Sequence, residues 1–489
     1  MSTLPLLSIV TLAPALAAFI VLLLPRGWTS APRVISLIAG TVSLAGAIAV
    51  FVGYDRSAGG YQFIETVRWM PSVGIAYRVG VDGISVPLVL LTSMVIFTGV
   101  LVSWKLGKRS KEFFFLLLLL VAGVFGVFVA LDAFLFFFFY EMAVLPMYLL
   151  IAIWGSTRKD YAAMKLTLFL FGGSALLVLS LVMTYWAIGA HTFDLRVWQT
   201  SHLDVEFQRL VFLISFVGFG TLIPIFPLHT WSPDGHVAAP TAVSMLHAGV
   251  LLKLGAYGVF RLSMPIYPEG WAYWAFPIAI IGAVNVVYGA LCAMNQTDLK
   301  YVIGYSSVSH MGYVLLGIGV GGMYALTGAV FQMFAHGIMT ALFFALVGYV
   351  YETTHTRQIA ELTGLMRVMP LVSAAFVIAG AASLGLPSTA GFVAELLVYV
   401  GLIKTYPLLA AVAFVGVAVT ATYVLRMLSR ILLGEPQPSY ADATDPTFIG
   451  RIPILLLATT IMLAGLFPAS LIETIQSGLK PLLARLGGG

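Results

Sequence analysis

The segment from Phe219 to Gly258, FGTLIPIFPLHTWSPDGHVAAPTAVSMLHAGVLLKLGAYG, decides the fold. Pro224 and Pro227 interrupt an apolar run that is otherwise long enough to span a membrane, and Lys253 lies deep inside the next run. Proline breaks the hydrogen bonding of a helix, and a lysine at the bilayer centre costs roughly 2.5 to 3.5 kcal/mol on insertion scales. A simple anchor needs neither feature, so the segment indicates a functional membrane protein.

The composition is that of a chain made almost entirely of membrane spans. Of 489 residues, 60% are hydrophobic and only 9% are charged, which excludes a sizeable soluble domain. Apolar runs of about 20 residues predict an all-α polytopic protein with about fourteen transmembrane helices. The predicted spans lie near residues 4–24, 32–53, 83–104, 112–130, 133–153, 164–188, 208–230, 239–262, 272–293, 300–320, 325–350, 366–403 (broken), 407–430 and 453–473.

The distribution of lysine and arginine predicts the orientation of the chain. Arg26 and Arg33 follow the first run and do not precede it, which favours a retained first span over a cleaved signal peptide. With the N-terminus outside, the inner loops hold fifteen basic residues and the outer loops nine, and Lys253 is the remaining one of 25. The excess of basic residues on the inside favours both termini on the outer face.

Charge and cysteine content exclude several classes of function. The net charge of +5 comes from the loops and does not indicate a nucleic-acid partner. The single cysteine, Cys292, excludes an intrachain disulfide and a cysteine-ligated cluster. The buried polar residues do not supply the several oxygen ligands that a hard cation prefers, so no metal site is expected.

The chain divides into two predicted five-helix units, 112–262 and 272–430, after helices 1–3 (1–111) and before a polar loop and a last helix (431–489). The fourth helix of each unit is broken, at Pro224 and Pro227 in the first and at Gly385-Leu386-Pro387 in the second. Because five is odd, the second unit enters the membrane from the opposite face, which makes the pair inverted repeats. Inverted repeats with broken helices are typical of ion-coupled transport, although a proline also kinks many helices that have no such role.

Five titratable residues are predicted near the middle of different helices. At 1.5 Å per residue, Glu141, Lys253 and Glu395 lie about 12 to 14 Å from the nearest end of their spans, and His310 and His336 about 15 to 17 Å. The hydrocarbon core is about 30 Å thick, so all five are central. Groups at one depth on several helices indicate a polar path along the membrane plane, and these are the side chains that relay protons.

Three other histidines are weaker candidates. His229 and His236 are expected at or near a helix end, and His247 lies six residues before Lys253. Any membrane histidine can instead hydrogen-bond between helices. The cluster of Tyr305, Ser306, Ser307 and Ser309 either holds water beside His310 or satisfies its own hydrogen bonds. The aromatic run 135–140 is expected at a lipid-facing or packing surface, and the glycines at 317–322 at a close helix contact.

These motifs carry a family resemblance. The runs DAFLFFFFYEMAVLPMYLLIAIWG (132–155), PIFPLHTWSPDGHVAAPTAVSMLHAGVLLKLGAYG (224–258), DLKYVIGYSSVSHMGYVLLGI (298–318), QMFAHG (332–337) and GLPSTAGFVAELL (385–397) resemble the antiporter-like, proton-pumping subunits of respiratory complex I, the NADH-quinone oxidoreductase. The similarity extends over nearly the whole chain. It implies proton-relay roles for Glu141 on helix 5, Lys253 on helix 8, His336 on helix 11 and Glu395 on helix 12.

One position departs from the family pattern. The family normally places a lysine before the first proline of the broken helix 7, where it pairs with the helix-5 glutamate. Leu222 stands there in this chain, and no lysine occurs between Arg209 and Lys253. Without that cation we expect Glu141 to be neutral more of the time. Lys165 and His247 are candidate substitute partners.

The resemblance implies a subunit that moves protons while neighbouring subunits carry out the quinone chemistry. It implies no cofactor bound by this chain, with quinone, NADH, FMN and iron–sulfur clusters in partner subunits. The expected partners are other membrane-arm subunits, including further antiporter-like ones, and the lipid bilayer of a bacterial inner membrane. The alternatives are a subunit of a cation/proton antiporter or membrane-bound hydrogenase complex, a stand-alone transporter, and a non-pumping structural subunit, which Leu222 makes more credible.

Overall fold

The computed structural model describes residues 4–25 and 27–487 and is almost entirely helical, as the all-α prediction requires. Arg26 and the terminal residues, on which the orientation prediction partly rests, lie outside the described residues. The first ten helices are α1 (Leu6–Leu23), α2 (Ala31–Gly53), α3 (Ser85–Val102), α4 (Ser110–Val129), α5 (Ala133–Trp154), α6 (Lys159–Ile188), α7 (Leu195–Thr200), α8 (Val205–Leu222), α9 (Trp231–Ala238) and α10 (Thr241–Ile266).

The remaining nine helices are α11 (Pro268–Met294), α12 (Leu299–Val320), α13 (Gly322–Thr354), α14 (Leu365–Val368), α15 (Pro370–Ser383), α16 (Ala390–Thr405), α17 (Pro407–Leu432), α18 (Phe448–Leu466) and α19 (Ala469–Arg485). Twelve of the described helices are long and apolar enough to cross a membrane. Helix α12 is long enough but carries more polar residues, and α15 and α16 are the halves of the predicted broken span. Together they would complete the predicted fourteen crossings, and the count and the repeat relation stay predictions.

Both predicted helix breaks are confirmed. Helix α8 ends at Leu222 and α9 begins at Trp231, on either side of Pro224 and Pro227. Helix α15 ends at Ser383 and α16 begins at Ala390, on either side of Gly385-Leu386-Pro387. Each break frees backbone groups that lipid cannot satisfy, so both were expected to be buried inside the bundle. This expectation is wrong for part of each break, because Phe226 and Pro227 in the first and Leu386 and Pro387 in the second are exposed on this chain.

Two features differ from the sequence prediction. A hairpin of β1 (Gln62–Met70) and β2 (Ile75–Val81), paired antiparallel, occupies the connection between α2 and α3, for which the sequence predicted no regular structure. The last predicted span, 453–473, is wrong at its end, because α18 stops at Leu466 and α19 starts at Ala469. Pro468 explains the stop, since the residue before a proline is disfavoured in the α conformation, and Phe467 has φ −125° and ψ 58°.

Small residues bring α11 and α12 into close contact. A Cβ added to Gly312 would lie 2.7 Å from the Val286 nitrogen, and one added to Gly319 would lie 2.5 Å from the Ala279 nitrogen. The predicted close contact in the glycine-rich part of α12 is therefore confirmed. The aromatic run 135–140 serves chiefly as a packing surface, because Phe136, Phe139 and Tyr140 are buried.

The connections between helices gather at two faces of the bundle. One, here called the hairpin face, carries β1, β2, α7 and α19, which are joined by Tyr61 to Gln199 (3.0 Å) and by Arg485 to the Ser201 carbonyl (2.6 Å). The other, here called the loop face, carries the α9–α10, α11–α12 and α13–α14 connections. There Lys300 donates to the Ala239 carbonyl at 2.7 Å. These contacts join connections that the predicted topology places on the same side.

Candidate functional site

Asn285 from α11 forms hydrogen bonds with backbone groups that the first helix break leaves free. Its side-chain nitrogen donates to the Pro224 carbonyl at 3.0 Å, and its oxygen accepts from the Phe226 backbone N–H at 2.8 Å. Trp231 donates its indole N–H to the Thr221 carbonyl at 2.9 Å. These bonds replace the helical ones that the prolines remove. Asn285 is fully buried, and sequence analysis did not single it out.

The second helix break makes room for Glu395. Gly385 has φ +64°, a left-handed conformation that glycine adopts without a steric penalty. A Cβ on Gly385 would lie only 3.0 Å from the Glu395 carboxylate. The break therefore provides a glycine at the point where the carboxylate approaches the backbone.

Lys253 and His336 form a direct contact in the interior. Lys253 on α10 and His336 on α13 are both buried, and the amine nitrogen lies 2.7 Å from His336 Nδ1. Lys253 also donates to the Ala248 carbonyl, which belongs to a π-helical turn at His247–Leu251. No acidic side chain of the described residues pairs with this lysine. A charged Lys253 would be stabilised only by neighbouring dipoles, so its protonation state can respond when a proton moves nearby.

His310 lies between His336 and Glu395 and so extends the cluster from the Lys253–His336 contact to a carboxylate. The His310 and His336 rings lie 5.6 Å apart between centroids, and His310 Nδ1 lies 3.3 Å from Glu395 Oε1. Gln332 approaches the same ring nitrogen at 3.3 Å, and Ser383 lies 3.1 Å from His310 Nε2. The structure thus brings four predicted residues, from α10, α13, α12 and α16, into one buried cluster. We call Lys253, His336, His310 and Glu395 the central cluster.

A second group of histidines lies on the loop-face side of Lys253. The rings of His236 and His247 are 4.1 Å apart, and His247 also stacks on Trp231 at 5.3 Å. Ser232 lies 3.2 Å from His236 Nε2, and His236 is close enough to Lys253 to interact with its charge. His236 lies in the last turn of α9, as expected for a residue near a helix end. His247 thus contacts other aromatic side chains and does not pair with Glu141.

His229 lies in the break before α9, as expected, and is buried. Its ring packs against Phe226 at 5.8 Å and Tyr288 at 5.0 Å, and neither ring nitrogen has a hydrogen-bond partner within the described part of the chain. It makes no contact with the central cluster. The structure therefore gives His229 a packing environment at the broken helix.

Glu141 stands apart from these groups. It is half-buried on α5, Ser174 on α6 is its polar neighbour, and its Oε1 has no hydrogen-bond partner among the residues described. Lys165, a candidate substitute partner, is bound instead to Asp234 at 2.8 Å, and Tyr301 donates to the same carboxylate at 3.1 Å. Neither proposed substitute, Lys165 or His247, therefore neutralises Glu141, and Leu222 is a fully buried apolar side chain.

Arg261 lies at the end of the predicted span 239–262 that contains Lys253, where an exposed boundary residue is expected, but it is buried. It is 4% exposed and makes two bonds to Asp82, at 2.9 and 2.8 Å. Tyr61 and Tyr257 cover the guanidinium, with ring centroids 5.0 and 5.1 Å from it. This ion pair fixes the hairpin-face end of α10 under the hairpin. Within residues 4–25 and 27–487 no group of side chains has the composition of a metal site.

The fold and the central cluster define a polytopic membrane protein that holds titratable groups in its interior between two broken helices. Residues 130–420 match the family model described as NADH:quinone oxidoreductase/Mrp antiporter, TM. The chain belongs to this family.

Relatives and solved structures agree with that membership. The chain is 37% identical over 494 residues to NADH-quinone oxidoreductase subunit M of Rhodobacter capsulatus, covering 98% of this chain and 96% of the relative. It is 39% identical over 440 residues to NAD(P)H-quinone oxidoreductase chain 4 2 of Microcystis aeruginosa, covering 88% and 80%. A chain of respiratory complex I from Thermus thermophilus superposes with a TM-score of 0.91 at 28% identity, covering 99% and 100%.

The fold is also found outside complex I. A chain of the Mrp complex from Dietzia sp. superposes with a TM-score of 0.86 at 22% identity, covering all of both chains. At this identity the similarity establishes the fold alone.

Proposed function

We propose that this chain is a proton-translocating membrane-arm subunit of a complex I-type NADH:quinone oxidoreductase. The observation that carries the proposal is the central cluster, in which titratable side chains from four helices touch inside an apolar bundle. Burying a charged or ionisable group costs about 3 kcal/mol per residue in a membrane helix. A purely structural subunit would pay that cost at Lys253 and Glu395 without a benefit.

The geometry supports proton transfer along the cluster. The 2.7 Å contact lets a proton pass between the Lys253 amine and His336 Nδ1. Rotation of either imidazole then presents an N–H to the other ring. Glu395 Oε1 lies 3.3 Å from His310 Nδ1 without a hydrogen bond in this arrangement, so a small rotation of either side chain would allow proton exchange between them. Because Lys253, His336 and His310 repel one another when protonated, a charge arriving at Lys253 drives a proton onward to Glu395.

The host enzyme follows from the relatives. Those with 37% and 39% identity are named as quinone oxidoreductase subunits, whereas the Mrp likeness is one of fold. On this proposal NADH, FMN, iron–sulfur clusters and quinone are bound by partner subunits, and neighbouring antiporter-like subunits flank this chain. The chain itself transfers no electrons.

The same proposal includes the membrane topology. The excess of lysine and arginine on the loop face supports a topology with that face inside a bacterial inner membrane and both termini outside. Units 112–262 and 272–430 are then inverted repeats that enter the membrane from opposite faces. The central cluster belongs to the second unit except for Lys253, which belongs to the first.

The proposal is tested by replacing Lys253 with methionine, which keeps the length of the side chain and removes its charge. Proton uptake into sealed inverted vesicles is recorded together with electron transfer from NADH to quinone. We expect Lys253→Met to lose pumping per electron while the complex stays assembled. Lys404→Met, at an exposed lysine on α16, is the matched control. Pumping per electron that stays at the wild-type value in Lys253→Met would overturn the proposal.

A further inference from the structure

A polar cavity on the loop face leads toward the central cluster. Its volume is about 210 Å³, and it lies between the α11–α12 connection, the segment after α13 and the end of α17. Asn295, Gln296 and Thr297 form one wall, and Tyr423 lines its inner end. Tyr423 is only 4% exposed, so its side chain separates the cavity from the protein interior.

Hydroxyl groups continue inward from Tyr423. Its hydroxyl donates to Ser306 Oγ on α12 at 2.8 Å. Thr420 and Ser383 are its other polar neighbours, and neither is hydrogen-bonded to it in this arrangement. Ser383 Oγ in turn lies 3.1 Å from His310 Nε2. Tyr423, Ser306 and Ser383 are all buried. One tyrosine and one serine therefore separate the cavity from an imidazole of the central cluster.

The mouth of the cavity favours protons over metal cations. Arg426 and Arg430 line it one helical turn apart, both are exposed, and neither is paired with a carboxylate among the described residues. Exposed charges are screened by salt beyond about 8 Å, but at the mouth they oppose the entry of any hydrated cation. Neutral water is not repelled, and a proton can then move by exchange between neighbouring oxygens.

We propose that Tyr423 and Ser383 form a proton branch that connects the loop face directly to His310. The inference rests on the proposed proton-translocating function and adds an entrance to it. The Tyr423 O–H turns from Ser306 toward Ser383 and passes its proton to the Ser383 hydroxyl, and Ser383 passes its own proton to His310 Nε2. A water molecule in the cavity replaces the Tyr423 proton and takes up a proton from the aqueous phase at the loop face, so that it ends as water. Each hydroxyl ends neutral, and His310 gains one proton. Ser306 holds the Tyr423 hydroxyl in place between transfers.

The branch gives the second unit a source of protons that does not depend on Glu141. Lys253 then supplies the charge that drives the proton from His310 onward, and the branch reloads His310 afterwards. This arrangement accounts for a connected central cluster in a chain whose Glu141 has no cationic partner. It also assigns a role to part of the Tyr305–Ser309 cluster, for which sequence analysis left two interpretations open.

Water access is tested by cysteine labelling in the assembled complex. Cys292 is the only cysteine of this chain, so Cys292→Ser provides a background without one. Tyr423→Cys is then exposed to a charged, membrane-impermeant methanethiosulfonate reagent from each side of the membrane. The matched control is Val424→Cys, because Val424 is its neighbour, is buried and does not line the cavity. We expect labelling of Tyr423→Cys from the inner side only, and none of Val424→Cys.

Proton conduction is tested separately with Tyr423→Phe and Ser383→Ala, which remove one hydroxyl each. We expect both to lower the rate of proton pumping, whereas Tyr324→Phe, at an exposed tyrosine near the hairpin face, leaves it unchanged. An unlabelled Tyr423→Cys, or pumping unaffected by both hydroxyl deletions, overturns the branch. If Lys253→Met also pumps normally, the proposed function itself fails; if Lys253→Met does not pump, only the branch is lost.

Discussion

Glu141 in the first predicted five-helix unit and Glu395 in the second are both carboxylates on membrane-type helices, but their surroundings differ. Glu395 contacts His310, and through the histidines it is connected to Lys253. Glu141 has a serine as its polar neighbour and no cation at ion-pair distance in the part of the chain that is described. Of the two predicted units, the second therefore holds a carboxylate that is connected to other titratable groups, and the first holds one that is isolated.

The comparison shows that the fold does not depend on the charged pair of the first unit. Leu222 is buried at the end of α8, and the break that follows is held by Asn285 and Trp231. These neutral bonds satisfy the backbone without any help from an ion pair. A change at position 222 can therefore alter proton transfer while the helices stay in place.

The largest difference is expected between two matched substitutions, Glu395→Gln and Glu141→Gln. Glu395→Gln removes the carboxylate next to His310, so pumping per electron should fall to the background level. Glu141→Gln should cause a smaller loss, because Glu141 exchanges protons with no cationic partner in this chain. Both are measured in inverted vesicles against Glu473→Gln, at an exposed residue of α19. Equal losses in the two variants would remove the distinction between the units.

A smaller effect is expected from Leu222→Lys, which restores the basic residue that the family pattern places there. A lysine within reach of Glu141 favours its charged form, so the pH dependence of coupling should change. The change should disappear in the double variant with Glu141→Gln, because the partner is then neutral. Leu222→Met is the control for side-chain size. An unchanged pH profile in Leu222→Lys would mean that the two positions do not interact.

The smallest effect is expected at Asp194, a carboxylate of the hairpin face whose bonds are satisfied. Burial raises its pKa, but bonds from Arg196 and the charge of Arg78 outweigh burial, and the net effect is a lowered pKa. A lowered folded-state pKa stabilises the protein above the unfolded value, about 3.9, and this stabilisation is lost as the pH falls through the folded-state value.

Asp194 also caps α7 through the Arg196 N–H at 3.0 Å. Asp194→Asn keeps a capping oxygen but loses the charge, so we expect destabilisation of about 1 kcal/mol or less at neutral pH and almost none in acid. Thermal dissociation of the purified complex at several pH values measures the change, with Asp442→Asn at an exposed loop as the control. Pumping per electron should not change. A loss of pumping would mean that Asp194 takes part in the proton relay, and Asp194 would then not differ from Glu395 in function.

The sequence predicted those parts of the molecule where a residue is unusual for a membrane helix. Pro224, Pro227 and Pro387 break helices, and Lys253 and Glu395 are charged residues inside apolar runs, so each stands out from its neighbours. His310 and His336 were found in the same way. The resemblance to a known family then connected these positions, and the structure brings four of them together.

The parts that were missed depend on tertiary contacts. Asn285, Gln332 and Ser383 are neutral polar residues, and nothing local tells which carbonyl or imidazole each one meets. The pairing of Lys165 with Asp234 joins residues 69 positions apart, so it was not visible when Lys165 was considered as a partner for Glu141. The hairpin was missed because its strand β1 is largely exposed and lacks a continuous buried side.

Helix α19 has a consequence for how the protein is made. Arg56, just before the hairpin, donates to Thr474 on α19, and these residues are 418 positions apart along the chain. At 5 to 20 residues per second, a ribosome takes roughly 20 to 80 seconds to synthesise that interval. The segment before the hairpin therefore emerges long before the α19 residues that it contacts, and these contacts form only late in biosynthesis.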